Sequence, residues 1–289
     1  MNTPLFTGVC TALVTPFLDD KINYPMVQQL LRRQTEAGVQ AVVISGTTGE
    51  SPTLTDEEKR TLFRRCKEYV QDRCLIIAGT GSNSTEHAVA LSLEAEAAGA
   101  DALLVVSPYY NKATPDGLIA HFVTIAHAVT IPVIIYNVPS RTGVDIPVSV
   151  YMRLSNVANI AGVKEASGDI TKIIQIKSEC PSHFSVWTGN DDQIVPALSA
   201  GAQGVISVLS NLLPEQTLAM ANAALSGDFR TAAAIQQRLQ PLIRLLFAEV
   251  NPIPVKEAMK ITGYDCGGYR LPLTPPSKEF REKLIHYLK

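Results

Sequence analysis

Lys164 carries the strongest indication of chemistry in this chain. It ends the apolar run at residues 160–163 and precedes a polar stretch, so it lies at the end of a predicted strand. A lysine amine is a nucleophile only when neutral, and desolvation or a nearby cation lowers the pKa of such an amine. This position therefore suggests imine (Schiff-base) formation with a ketone. The alternative is a lysine whose stem packs on the strand while its ammonium reaches water.

Hydroxyl side chains at other predicted strand ends suit the proton transfers that imine formation requires. Tyr136 ends the strand before that of Lys164, and Tyr110 and Thr47 follow two earlier strands. A tyrosine hydroxyl titrates too high to act alone, so a relay through Tyr110 and Thr47 would help Tyr136. A single tyrosine after a strand more often has a structural role, in which its ring covers the end of the hydrophobic core.

Two further strand ends could bind carboxylates. The turn at residues 46–49 offers backbone N–H groups and the hydroxyls of Thr47 and Thr48, and Arg141 offers a guanidinium fork. Two carboxylate sites beside an imine-forming lysine imply two acidic substrates without phosphate. A glycine-rich turn and a loop arginine each have ordinary structural explanations, and only their occurrence together with Lys164 at the strand ends indicates carboxylate binding.

The elements that must position these residues alternate between strands and helices. Val-, Ile- and Leu-rich runs predict buried parallel strands at residues 9–13, 41–44, 75–78, 102–106, 133–136, 160–164, 184–188 and 204–208. Helical patterns between them cover residues 25–37, a segment starting at 55, and residues 84–98, 116–128, 170–178, 193–200 and 214–225. Eight strand–helix units predict an α/β (β/α)8 TIM barrel, whose reacting groups lie at the carboxyl ends of the strands.

An open doubly wound sheet is the alternative architecture. Its dinucleotide fingerprint is incomplete here, because residues 79–84 supply only the first two glycines of GxGxxG. After Gly227 the pattern becomes helical, with helices expected at 230–249, 255–261 and 277–288. We therefore predict a catalytic barrel at residues 1–226 and a small helical domain at 227–289. Lys256 lies inside one of these helices, which favours a structural role over catalysis.

The bulk composition excludes several classes of protein. The chain of 289 residues is 46% hydrophobic and has a net charge of −2, which gives no support for nucleic-acid or membrane partners. Residues 1–6 show no secretory signal pattern, and five scattered cysteines are typical of free thiols in a reducing cytoplasm. Neither cysteines nor histidines have metal-ligand spacing, so no metal is expected.

Six motifs identify a family. The chain resembles the dihydrodipicolinate synthase family of pyruvate-dependent class I aldolases and lyases over nearly its whole length. The matching motifs are GTTGES at 46–51, PYYN at 108–111, YNVPSRTG at 136–143, GVKEA at 162–166, GVIS at 204–207 and NPIPVK at 251–256.

The resemblance implies a function and roles for individual residues. Lys164 would form the imine with pyruvate, and Tyr136 would carry protons with Thr47 and with Tyr110 of a neighbouring subunit. Thr48 would bind the carboxylate of pyruvate, and Arg141 that of L-aspartate 4-semialdehyde. Gly189 and Ile206 would line the pocket. The implied activity is a lyase of diaminopimelate and lysine biosynthesis that needs no cofactor, assembled as a homotetramer formed by a dimer of dimers.

Two points stay open within the family. The sialic acid (N-acetylneuraminate) lyase branch typically has Ser-Thr in place of Thr47-Thr48 and lacks the arginine, so Arg141 favours the synthase. Sugar-acid aldolases remain an alternative. Asn83 and Tyr109 match the family's allosteric lysine site, but Asp56, Lys59 and His87 replace its two histidines and its glutamate. We therefore expect weak or absent inhibition by lysine.

Overall fold

Eight parallel strands form a closed barrel in the computed structural model, which describes residues 3–288. The first strand pairs with both the second and the eighth, which closes the sheet. The strands are β1 (Gly8–Ala12), β2 (Ala41–Ile44), β3 (Leu75–Gly79), β4 (Ala102–Val106), β5 (Val133–Asn137), β6 (Ile160–Glu165), β7 (Ser185–Thr188) and β8 (Gly204–Ser207). The predicted (β/α)8 barrel is confirmed, and each predicted strand lies within one residue of the observed one.

Along the regular strands, side chains alternate between two apolar layers. On β2, Val42 and Ile44 belong to the large core between the strands and the helices. Ala41 and Val43 belong to a smaller core inside the barrel. Since both faces are buried, such strands are apolar throughout, which is why they appear in the sequence as continuous hydrophobic runs.

Helices cover the barrel from outside. They are α1 (Tyr24–Ala37), α2 (Asp56–Val70), α3 (Thr85–Ala97), α4 (Pro115–Ala128), α5 (Pro139–Thr142), α6 (Val148–Leu154), α7 (Ile170–Glu179), α8 (Ile194–Ser199) and α9 (Pro214–Leu225). Their starts follow capping chemistry: at α2, Thr55 and Glu58 form a reciprocal capping box. The sequence patterns missed α5 and α6, which are only four and seven residues long.

Three helices follow the barrel, namely α10 (Phe229–Leu246), α11 (Ile253–Ile261) and α12 (Lys278–Leu288). They lie close to the predicted helical segments, and α10 packs on α8 and α9. The division into two domains at residue 226 stays a prediction. Within residues 3–288, none of the helices has the length and apolar character that a membrane crossing demands.

Candidate active site

Lys164 and Tyr136 face each other inside the carboxyl end of the barrel. They are register partners on β6 and β5, and the Lys164 Nζ atom lies 4.3 Å from the centre of the Tyr136 ring. Only 6% of Lys164 and 7% of Tyr136 is exposed. Both side chains line a cavity of about 410 Å³. The structure therefore brings the predicted nucleophile and the predicted proton carrier together in a confined space.

Gly189 makes room for the lysine. It follows β7, and a Cβ atom placed there would lie 2.8 Å from Cε of Lys164 and 2.7 Å from Cβ of Ala166. Carbon atoms in contact normally stay roughly 3.5–4.0 Å apart. Any side chain at this position would therefore displace Lys164, and Gly189 also lines the cavity.

The turn after β2 delivers Thr47 and Thr48 to the same cavity. Thr48 is 3% exposed, and its hydroxyl accepts a hydrogen bond of 3.0 Å from Nδ2 of Asn251. The turn is closed by backbone hydrogen bonds from Gly49 and Ser51 to the carbonyl of Gly46. These contacts hold the two threonine hydroxyls at the mouth of the barrel.

Lys256 anchors this turn from behind. Its ammonium lies 2.7 Å from Oε1 of Glu50, and the exposed fractions of the two side chains are 1% and 0%. It also donates to the carbonyl oxygens of Thr15 and Gly268. Burial lowers the pKa of Lys256, and the Glu50 carboxylate opposes that shift. Lys256 is thus a fully paired structural lysine, and it is absent from the residues that line the cavity.

Arg141 belongs to the short helix α5 and is exposed at the rim of the cavity. Together with Thr47 and Tyr136, it also lines a second, adjoining cavity of about 580 Å³. A guanidinium at this rim can bind a carboxylate while the rest of a substrate extends towards Lys164.

Tyr110 lies outside the cavity of its own chain. It is 92% exposed, has a φ of +75°, and lines neither cavity. Ile206 is fully buried in the inner core of the barrel, and it is not a lining residue of the Lys164 cavity either. The single chain therefore brings together Lys164, Tyr136 and Thr47 but not Tyr110.

The second cavity is lined by most of the residues that the sequence analysis compared with the family's allosteric lysine site. Tyr109, Asp56, Lys59 and His87 line it, whereas Asn83 is exposed just before α3 and is not among the lining residues. The Asp56 carboxylate lies 2.9 Å from Nε2 of His87 and 3.6 Å from the Lys59 ammonium. Burial opposes ionisation of Asp56, but these two contacts hold its pKa below the usual value.

Among the cavity residues to which the sequence assigned no role are two buried polar ones, Asp191 and Asn251. Both are buried, and Asp191 Oδ1 and Asn251 Oδ1 have no hydrogen-bond partner within residues 3–288. The other oxygen of Asp191 accepts from the backbone N–H groups of Val208 and Leu209. Burial raises the pKa of Asp191, while its hydrogen bonds and the charge of Lys164 oppose the shift. In the sequence, Asp191 stands in a Gly-Asn-Asp-Asp run at 189–192, in which nothing distinguishes the buried aspartate from its neighbour Asp192.

Comparison with known proteins points to a single family. The model of the Dihydrodipicolinate synthetase family matches residues 5–289. A 4-hydroxy-tetrahydrodipicolinate synthase of Exiguobacterium sp. is 49% identical, with 97% of this chain and 96% of the relative covered.

Solved structures agree with the sequence relatives. Dihydrodipicolinate synthase from Aquifex aeolicus has a TM-score of 0.96 and 43% identity, with 98% of this chain and 97% of that chain covered. A protein described as a monomeric dihydrodipicolinate synthase variant has a TM-score of 0.95 and 41% identity, with 98% and 95% covered. The chain belongs to the Dihydrodipicolinate synthetase family.

Proposed function

We propose that the chain condenses pyruvate with L-aspartate 4-semialdehyde through an imine on Lys164. This is the reaction of a 4-hydroxy-tetrahydrodipicolinate synthase, the lyase named for the Exiguobacterium relative, in diaminopimelate and lysine biosynthesis. The observation that carries the proposal is the buried Lys164 amine nitrogen, 4.3 Å from the centre of the Tyr136 ring in a cavity that also includes Arg141.

The reaction divides into four stages: imine formation, enamine formation, carbon–carbon bond formation and ring closure. The Lys164 Nζ lone pair attacks C2 of pyruvate, and the resulting carbinolamine loses its hydroxyl as water to give the imine. Loss of a proton from C3 gives an enamine, whose C3 attacks the aldehyde carbon of the second substrate. The aldehyde oxygen takes up a proton and becomes a hydroxyl group. The α-ammonium group of the second substrate then loses a proton, and the resulting amine attacks the imine carbon. Its two remaining protons pass to the Lys164 nitrogen, which leaves as the free amine as the ring closes.

Tyr136 is the proton carrier nearest to these events, and Thr47 lines both cavities together with it. Tyr110 completes the relay from a neighbouring subunit, a role supported by its exposed fraction of 92%. On this account the active form is at least a dimer, and the family resemblance favours a homotetramer. Sedimentation analysis tests this, and full activity in a monomer would contradict the relay.

The polar groups of the cavity divide between the two substrates. Thr48 binds the carboxylate of pyruvate beside Lys164, and Arg141 binds the carboxylate of the aldehyde substrate. That substrate also carries an α-ammonium group, which needs an acceptor. Asp191 and Asn251 line the cavity, and rotation of either side chain would turn its enclosed, unpaired oxygen towards this group; a buried acceptor without a partner gains most from a charged donor.

Lysine is expected to inhibit weakly or not at all. Lys59 places a positive charge in the second cavity, and the Asp56 carboxylate is already engaged by Lys59 and His87. An incoming ammonium group would therefore meet a cation without a free carboxylate to offset it. A titration that gave inhibition at micromolar lysine would contradict this expectation.

A cytoplasmic location is part of the proposal. All five cysteines are free and buried, which suits a reducing compartment. Fractionation of cells that produce the native chain tests the location.

The activity is tested with three substrate sets: pyruvate with L-aspartate 4-semialdehyde, N-acetylneuraminate, and ketodeoxy sugar acids. Turnover only of the first set supports the synthase. Turnover only of the others would assign the chain to the lyase or sugar-acid aldolase branch. Arg141→Ala sharpens the test, since it should keep the pyruvate imine while weakening use of the aldehyde. Failure of that variant to form the imine would refute the division of the carboxylate sites.

A further inference from the structure

Strand β6 changes the phase of its side-chain alternation between its first residue and Lys164. Ile160 packs in the outer core, and Ala161 packs against the inner core. Strict alternation would then turn Val163 inwards and Lys164 outwards. In the structure Val163 belongs to the outer core and Lys164 lines the inner cavity. One residue between Ile160 and Val163 is therefore surplus to the regular pleat.

The pairing with β5 locates the surplus residue. Val133 pairs with Ile160, but the next residue, Ile134, pairs with Gly162, so Ala161 is skipped. This is a one-residue bulge. From there the register continues to the pair Tyr136 and Lys164. Without the bulge, Tyr136 would pair with Val163 and the lysine would lie beside Asn137, on the face directed away from the cavity.

Gly162 permits the bulge because it lacks a side chain. A Cβ atom at this position would lie 2.0 Å from the carbonyl oxygen of Ser185 on β7. Backbone atoms of a neighbouring strand give way far less readily than the end of a flexible side chain. The bulge can therefore form at this place with glycine, and larger residues would push β6 away from β7.

A buried pair on the opposite face joins the strands immediately beyond the lysine. The Asn137 amide nitrogen donates to both carboxylate oxygens of Glu165, each at 3.0 Å, and the exposed fractions are 0% and 2%. Asn137 also donates to Asp145 and accepts from the backbone N–H of Ile146. Glu165 accepts a further bond from the backbone N–H of Ser167. Since Asn137 and Glu165 are register partners, these bonds exist only in the shifted pairing.

We infer that the bulge at Ala161 and Gly162 directs Lys164 into the cavity and that the Asn137–Glu165 pair holds this register. Both members of the pair are positioning residues, because neither lines the cavity. The inference rests on the proposed function, in which Lys164 must reach the C2 atom of pyruvate beside Tyr136. A displacement of about 1 Å at the reacting atoms costs about a hundredfold in rate.

The test compares Asn137→Ala with a matched control, Asn159→Ala. Asn159 donates to the carbonyl oxygens of Ala126, Val129 and Ile131, so it links the segments before β5 and β6 at the opposite end of the same strand pair. The rate of borohydride trapping with pyruvate is measured for the folded enzymes, together with the melting temperature and the pyruvate KM. We expect both variants to have a lower melting temperature than the wild type. Only Asn137→Ala should trap about ten- to a hundredfold more slowly, with little change in KM.

A second variant, Glu165→Gln, keeps the test decisive if Asn137→Ala does not fold. It should slow trapping by a smaller factor, and the double variant should be no slower than Asn137→Ala alone, because the two residues act as one unit. Trapping at the wild-type rate in the folded variants, or an equal loss in Asn159→Ala, would overturn the inference. Absence of trapping in the wild type would instead refute the proposed function.

Discussion

Replacement of Gly189 by alanine should displace Lys164 and slow imine formation, although the lysine itself is unchanged. The new Cβ atom would lie 2.8 Å from Cε of Lys164 and 2.7 Å from Cβ of Ala166. Because carbon atoms pack at roughly 3.5–4.0 Å, the lysine stem must move by about 0.7–1.2 Å. A shift of that size should slow imine formation about a hundredfold. Overpacking should also lower the free energy of unfolding by about 1–3 kcal/mol.

The assay is the rate of borohydride trapping with pyruvate, followed in Gly189→Ala and in a glycine control. Gly268→Ala is suited as the control, because a Cβ atom there meets nothing within 4 Å and the backbone has no positive φ. We expect the control to trap at the wild-type rate. Normal trapping in Gly189→Ala would show that Lys164 does not need the space beside Gly189, and it would refute this reading of the cavity.

Three further predictions concern groups around the site and in the helical layer. Asp191→Asn should raise the KM for the aldehyde substrate about tenfold or more, because the negative charge that would pair with its ammonium group is lost, while pyruvate trapping should not be slowed; steady-state kinetics decides, and an unchanged KM would refute the role. Lys256→Met should lower the free energy of unfolding by about 3–5 kcal/mol, because it leaves the Glu50 carboxylate buried and unpaired. Denaturant unfolding should show much of that loss recovered when Glu50→Gln is added. Burial lowers the pKa of His121 from 6.5 to about 4. Below pH 6.5 the unfolded chain binds a proton on His121 that the folded chain excludes. The free energy of unfolding should therefore fall by up to about 3 kcal/mol as the pH drops from about 6.5 to 4. His121→Gln should flatten this dependence, and an unaltered pH profile would contradict it.

The barrel was predictable because its strands can be recognised from the local sequence alone. Val, Ile and Leu runs mark strands buried on both faces, and the polar residues that end them mark the mouth of the barrel. Lys164, Tyr136 and Thr47 were therefore placed at one end of the barrel before their contacts were known. Their meeting in one cavity follows from closure of the sheet.

The direction in which Lys164 points was not predictable by the same reasoning. A continuously apolar strand has no period of two, so residues 160–163 gave no sign that one of them is skipped in the pairing. The phase is set by packing against the neighbouring strands, where the Ser185 carbonyl leaves no room for a side chain at Gly162. Only the paired strands reveal the bulge.

The sequence assigned no role to Asp191 or Asn251 for a related reason. Their chemistry depends on burial and on unpaired oxygens, which are properties of the folded cavity. In the sequence, Asp191 stands next to Asp192, and Asn251 lies in a proline-rich turn between two helices. Neither context distinguishes a buried acceptor from an ordinary loop residue.

The most direct test of the central claim is peptide mass spectrometry after borohydride treatment with pyruvate alone. We expect one reduced pyruvyl group on the peptide that contains Lys164, and no adduct in Lys164→Ala. Absence of an adduct, or its presence on Lys256 or another lysine, would contradict the assignment of Lys164 as the nucleophile.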